Sequence, residues 1–174
     1  DFGSDGIVNY FEASHRASIL HSSSTVLKKV VFEKTGSYDS VIKSGQDTDL
    51  YIRIGLNYPV VLSRKICSSY YVLENSLFRS TTSLAEKADF LKYEPLETEN
   101  LSLKKFLDLN RFSLAIFAKL HNDRAGFKKN FEKIDLNNLN KKQRMLLRLS
   151  PKTTKFLYGL KNFFERFGIK LSAF

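Results

Sequence analysis

Cysteine occurs once in these 174 residues, at Cys67, which excludes an internal disulfide and a cysteine-based zinc cluster. Histidine is scarce too. His15, His21 and His121 are too scattered for a metal-ligand spacing, and none lies near Cys67 in the chain. Cys67 therefore reads as a buried, inert thiol within a strand-like stretch. The only methionine is Met145 and the chain opens Asp1-Phe2-Gly3, so the N-terminus is expected to be a cut rather than a start. Long apolar runs are absent. Leu114-Ala115-Ile116-Phe117-Ala118 is the longest in the second half, far short of the ~20 residues that span a bilayer. No signal peptide is visible. With 43% hydrophobic and 26% charged residues, the composition is that of a globular chain, not a disordered one.

Charge is unevenly placed. Residues 1–100 carry 11 Lys and Arg against 13 Asp and Glu, whereas residues 101–174 carry 17 against 5. A near-neutral front and a strongly basic rear predict two parts, 1–100 and 101–174, with different surroundings.

Patterning separates the same two parts. Residues 1–18 hold Gly3, Ser4, Asp5 and Gly6 and read as loop. Residues 19–27 read as a Ser-studded strand leading into a short helix over 28–35, with Gly36 as a C-cap needing positive φ. A turn at 37–40 and a polar loop at 43–49 follow. A helix then opens at Leu50 with an Asp or Thr N-cap and stops before Pro59. Residues 60–62 and 66–73 read as strands. Residues 74–100 form a linker with one helical stretch at 83–93. From Leu101 the period is helical, giving helices over 102–119, 123–134 and 141–149. A last helix has Ser150 as N-cap and Pro151 at its first position. Its Phe156, Leu157, Leu160, Phe163, Phe164, Phe167 and Leu171 share one arc, predicted to be buried, with Lys155, Arg166 and Lys170 opposite.

The segment with chemical content is Gly45-Gln46-Asp47-Thr48-Asp49-Leu50-Tyr51-Ile52-Arg53-Ile54. Two carboxylates at a loop-to-helix junction can simply cap the helix. A carboxylate held at a helix start beside a cleft can also take a proton from an attacking hydroxyl.

Together with Gly36-Ser37-Tyr38-Asp39, and with Ser22-Ser23-Ser24-Thr25-Val26-Leu27-Lys28-Lys29 before it, this segment resembles the family 2 inverting glycosyltransferases. There a Gly-Gly-Phe-Asp-like turn precedes Gly-Glu-Asp-x-Asp-Leu-Trp-x-Arg. The likeness covers residues 19–76. It implies an α/β architecture of the GT-A kind (α+β as a fragment), of which this chain would be the rear, acceptor-side half followed by a helical subdomain. It further implies transfer of a sugar, with inversion, from a nucleotide-sugar donor to a glycan or lipid-linked acceptor. Asp47 would be the catalytic base, with Asp49 a cap or packing residue and Arg53 an ion-pair partner. Gln46, His21 and Ser23 are candidate acceptor contacts. Gln46 stands where the family often has Glu, and its neutrality removes a like charge from beside Asp47. Tyr51 stands where it often has Trp.

The donor half, with an Asp-x-Asp metal motif, would lie before residue 1. A divalent metal, Mg or Mn, is thus expected of the full-length enzyme, and no metal or nucleotide ligand in this chain. An exposed truncated surface predicts a homo-oligomer. Tyr70, Tyr71 and Phe78 read as core aromatics. The basic rear half reads as a solvated face or as attracted to anionic lipid or a diphosphate-linked acceptor; the resemblance favours the latter and implies a cytoplasmic enzyme in peripheral contact with the inner membrane face. Nucleic acid ranks last, because the basic residues do not alternate with exposed aromatics. A non-catalytic α+β interaction module with a basic helical face is the competing reading.

Overall fold

The structure, a computed structural model, describes residues 5–63, 65, 66, 68, 69 and 83–166, with 165 and 166 by backbone only. It is mixed but mostly helical, a loose α+β arrangement. The chain divides into two compact units, residues 1–106 and 107–174, and the division falls within a long helix.

In the first unit, β1 (Gly6–Val8) pairs antiparallel with β2 (Val60–Leu62), with Gly6 opposite Leu62 and Val8 opposite Val60. Residues 6–8 thus form a strand where the sequence predicts loop. Asn9 then starts α1 (Tyr10–Ala13), its side chain accepting from the Phe11 and Glu12 amides. The strand predicted over 19–27 does not form. Ser and Thr hydroxyls there bond the local backbone instead: Ser18 Oγ donates to the Leu20 carbonyl and Thr25 Oγ1 to the His21 carbonyl, both at 2.8 Å. Such local bonds offer the backbone an alternative to a sheet ladder.

Helix α2 (Lys29–Thr35) ends as predicted at Gly36, with φ 71°. Helix α3 (Gln46–Asn57) begins four residues before the predicted start. The residue before it is Gly45, at φ 86°, which makes no side-chain cap. Asp47 and Asp49 are therefore first-turn residues facing the positive end of the helix dipole, not N-caps. Side-chain-bearing residues seldom adopt this φ. A Cβ at Gly45 would also sit 3.3 Å from that of Ala88. Ser44 pairs in parallel with Lys87, and the Ala88 amide donates to the Ser44 carbonyl at 3.0 Å. This pairing replaces the helix predicted over 83–93; two 3₁₀ turns, Leu84–Glu86 and Leu91–Leu96, flank it.

Burial concentrates on Tyr10, Phe11, Leu50, Tyr51, Ile52, Leu103 and Phe106. Tyr10 and Phe11 meet the Phe106 ring at 5.4 and 5.6 Å between centroids. Tyr10 also lies against α3 so closely that a Cβ on Gly55 would come 2.6 Å from its ring. Apart from Ile66, Ser68 and Ser69, the predicted strand at 66–73 lies outside the described residues, as do the Cys67 thiol, Tyr70, Tyr71 and Phe78.

Helix α4 (Leu101–Leu120) carries the chain into the second unit. There Phe112, Ala115 and Ile116 form a core with Ile134, Leu139, Leu146 and Leu147. The charged Asp108, Arg111 and Lys119 of this helix are buried. Asp108 accepts from the Asp135 amide at 3.2 Å and from Asn138 Nδ2 at 2.8 Å. Asp123 caps α5 (Arg124–Phe131), and Asn140 with Gln143 forms a capping box on α6 (Lys141–Arg148). The buried Lys119 ammonium donates to the carbonyls of Leu146, Leu147 and Leu149 at 2.7–2.9 Å, closing the C-terminal end of α6.

Helix α7 (Pro151–Arg166) starts where the sequence places it, with Ser150 Oγ accepting from the Thr153 amide. Its orientation meets the expectation only in part. Thr154 is fully buried and Leu157 and Phe164 are half-buried, whereas Phe156, Leu160 and Phe163 are exposed. Phe167, Lys170 and Leu171 lie outside the described residues.

Candidate functional site

The start of α3 gathers the residues the sequence singles out. Asp49 is 1% exposed and is committed to structure. Lys92 Nζ lies 2.6 Å from its Oδ1, and the Tyr93 hydroxyl donates to the same oxygen at 2.7 Å. Arg53 Nε donates to its Oδ2 at 3.1 Å. Burial pushes the Asp49 carboxyl up, but the Lys92 ammonium, the Tyr93 hydroxyl and the Arg53 charge outweigh that and hold it below the ordinary carboxylate range. Tyr93 moves the opposite way, raised by burial and by the adjacent carboxylate.

Arg53 does more than pair. Its guanidinium also donates to the Thr35 carbonyl and, at 2.8 Å, to the Ser37 carbonyl. It thereby ties the Gly36–Asp39 turn to α3. Asp39 stays exposed, its carboxylate accepting from the Val41 amide at 2.9 Å.

Asp47 is different. It is exposed, its Oδ1 accepting from the Thr48 amide at 2.8 Å, and among the described residues it makes no ion pair. Its charge is felt by two buried phenols, Tyr10 and Tyr51, whose rings are 6.5 Å apart. Burial pushes Tyr10 up to about 12, with Asp47 adding to the shift and the Ser18 and Ser14 hydroxyls easing it. Burial likewise takes Tyr51 to about 12, with the Tyr38 and Asp47 charges raising it further and the Thr25 hydroxyl easing it. Neither phenol oxygen makes a hydrogen bond of normal geometry among the described residues.

Gln46 is half-buried at the first position of α3. His21 and Ser23 are exposed in the turn before Thr25, where the Ser23 amide donates to His21 Nδ1 at 3.4 Å and the His21 amide to Thr25 Oγ1 at 3.0 Å. Tyr51 relates that turn to the helix start, since Thr25 and Asp47 both act on its phenol.

Sequence reasoning missed a second feature. A cleft of about 970 Å³ is lined by Glu12, His15, Arg16, Ser18, Ser63 and Lys105, among others. Burial lowers the His15 imidazole, with Lys105 adding to the effect, while a Ser102 backbone bond and Glu12 oppose it. Asn9 ahead of Tyr10-Phe11-Glu12 is the N-cap signal that could have located this helix and its cleft. Asp47 does not line this cleft.

Among the described residues, no three His, Cys, Asp or Glu side chains gather closely enough to hold a metal ion. The divalent metal implied by the resemblance therefore finds no ligand set there. Among the described residues, no helix is long and apolar enough to cross a membrane. The chain matches no protein-family model, no curated protein and no solved structure.

Proposed function

We propose that this chain is the acceptor-side portion of an inverting glycosyltransferase of the GT-A kind, with Asp47 as its general base. One observation carries the reading. Of two carboxylates two residues apart, Asp49 is buried and spent on three partners, Arg53, Lys92 and Tyr93, while Asp47 stands exposed on the same helical turn. A helix start held by Arg53, Lys92 and Tyr93 is the fixed support a general base requires.

In the reaction, the Asp47 carboxylate takes the proton of an acceptor hydroxyl as its oxygen attacks the anomeric carbon of the donor sugar. The bond from that carbon to the nucleoside diphosphate breaks with inversion, and the diphosphate leaves with the electron pair. Gln46, His21 and Ser23 would contact the glycan or lipid-linked acceptor. The donor and its Mg or Mn would be held by a preceding half. Ile7 and Val61, opposed across β1 and β2 and both exposed, are the kind of face such a half or a second copy would cover. Nucleic acid has no part in this reading, and the enzyme would work in the cytoplasm.

The test uses the full-length protein. Asp47→Asn should lower kcat by about 10²–10⁴ with folding unchanged. An encoded Asp-x-Asp about a hundred residues before Gly45, the separation the resemblance implies, would supply the donor site. Wild-type turnover in Asp47→Asn would sink the assignment. So would tight nucleotide-sugar binding by residues 1–174 alone.

A further inference from the structure

Helix α7 turns only part of its apolar stripe toward the core. An apolar stripe normally faces the core. Here the core side of the helix is marked by Thr154, fully buried, with Leu157 and Phe164 of the stripe half-buried beside it. At about 100° per residue, Phe163, Phe156 and Leu160 fall within an arc of about 60°. That arc is centred roughly 150° from Thr154. They are 55%, 68% and 39% exposed. Two exposed phenylalanines and a leucine on successive turns make a contiguous apolar ridge, not scattered surface residues.

The ridge has a charged border. Lys152 and Lys155 are exposed and lie beside it on the helix wheel. The segment 151–166 contains one acidic residue, Glu165, against Lys152, Lys155, Lys161 and Arg166. An occupant must therefore offer an apolar layer and negative charge side by side. A second copy of this chain brings the same basic border and is repelled by it. An anionic bilayer brings both components: headgroups for the ammonium groups and acyl chains for the ridge, with lysine stems lying along the boundary.

We propose that α7 lies in the plane of an anionic membrane surface, inserting Phe156, Leu160 and Phe163 below the headgroups while Lys152 and Lys155 pair with them. This stands on the helix alone and does not depend on the transferase reading. It also changes how a membrane contact would be made. The sequence predicts a buried apolar stripe with outward lysines acting by charge; the structure adds an exposed ridge that can insert.

The chain contains no tryptophan, so Phe156→Trp makes a single reporter. The whole chain is mixed with vesicles of phosphatidylcholine alone or with about one-third phosphatidylglycerol. We expect sedimentation with the anionic vesicles, weakening as salt rises, and a blue shift of the reporter's indole emission. Phe156→Ser/Leu160→Ser/Phe163→Ser should lower partitioning by about tenfold or more with unchanged circular dichroism, because the three side chains are exposed in the free protein. Lys152→Gln/Lys155→Gln should lower it and flatten the salt dependence. Three results would overturn the proposal: no binding to anionic vesicles at low salt, binding unaffected by the triple serine change, or a concentration-dependent dimer in solution that this change abolishes.

Discussion

Replacing Asp49 by Asn tests the division of labour at the start of α3 most directly. Asn keeps the size and one acceptor oxygen, so the Tyr93 hydroxyl can still donate. It loses the charge that holds Lys92 Nζ at 2.6 Å and Arg53 Nε at 3.1 Å. Breaking a buried ion pair costs about 3–5 kcal/mol when the surviving charge stays buried. Here the Lys92 side chain is 49% exposed and that of Arg53 21%. Lys92 can return to water, and Arg53 retains the Thr35 and Ser37 carbonyls. The expected loss is therefore about 2–3 kcal/mol, in the range of one or two charge-assisted bonds.

Urea unfolding followed by far-ultraviolet circular dichroism measures it, with Asp47→Asn as the matched control at less than about 0.5 kcal/mol. The pH dependence has a definite sign. The folded Asp49 carboxyl sits below its ordinary value, so its contribution is present above about pH 4 and is lost as pH falls through the folded value. The gap between wild type and Asp49→Asn should close in acid. A gap under about 0.5 kcal/mol at neutral pH, or an equal loss in Asp47→Asn, would refute the assignment of Asp49 as the structural carboxylate.

Two further substitutions probe packing. Gly55→Ala should destabilise the first unit by about 1–2 kcal/mol, because the Tyr10 ring 2.6 Å from the new Cβ must move. Gly159→Ala should instead stabilise α7 by about 0.5–1 kcal/mol, since nothing lies within 4 Å of that Cβ; thermal unfolding of the pair should move in opposite directions. Lys119→Met should cost about 3 kcal/mol by orphaning the carbonyls of Leu146, Leu147 and Leu149. A loss below about 1 kcal/mol in urea unfolding would mean that water replaces the ammonium there.

The rear of the chain is the more legible half, because its signals are local. Asp123, Asn140 and Ser150 are followed by helical periodicity, and each accepts from a first-turn amide as its chemistry directs. Where sequence and structure part, a distant or competing partner decides. Residues 19–27 have β-branched content, but hydroxyls at Ser18 and Thr25 satisfy the backbone locally. Residues 83–93 have helical content, but Lys87 and Ala88 are taken by Ser44. The apolar stripe on α7 exists, yet its Phe156, Leu160 and Phe163 face outward. Periodicity identifies which residues share a face; it carries no information about whether that face meets a core.

The same limit explains the two aspartates. Asp47 and Asp49 are two residues apart, about 200° around a helix, so one can enter the interior only if the other leaves it. Sequence alone gives them equal title to either role, and the family pattern breaks the tie only by analogy. What distinguishes them physically is 43 and 44 residues away: Lys92 and Tyr93 converge on Asp49 and leave Asp47 outside. The Pro95-containing 3₁₀ turn that presents both partners spans the end of the helix predicted over 83–93 and the linker after it. A segment whose sequence reads as helix running into linker thus sets which carboxylate is structural. Any substitution that displaces that turn should weaken Asp49's hold and loosen the support of Asp47 without touching either residue.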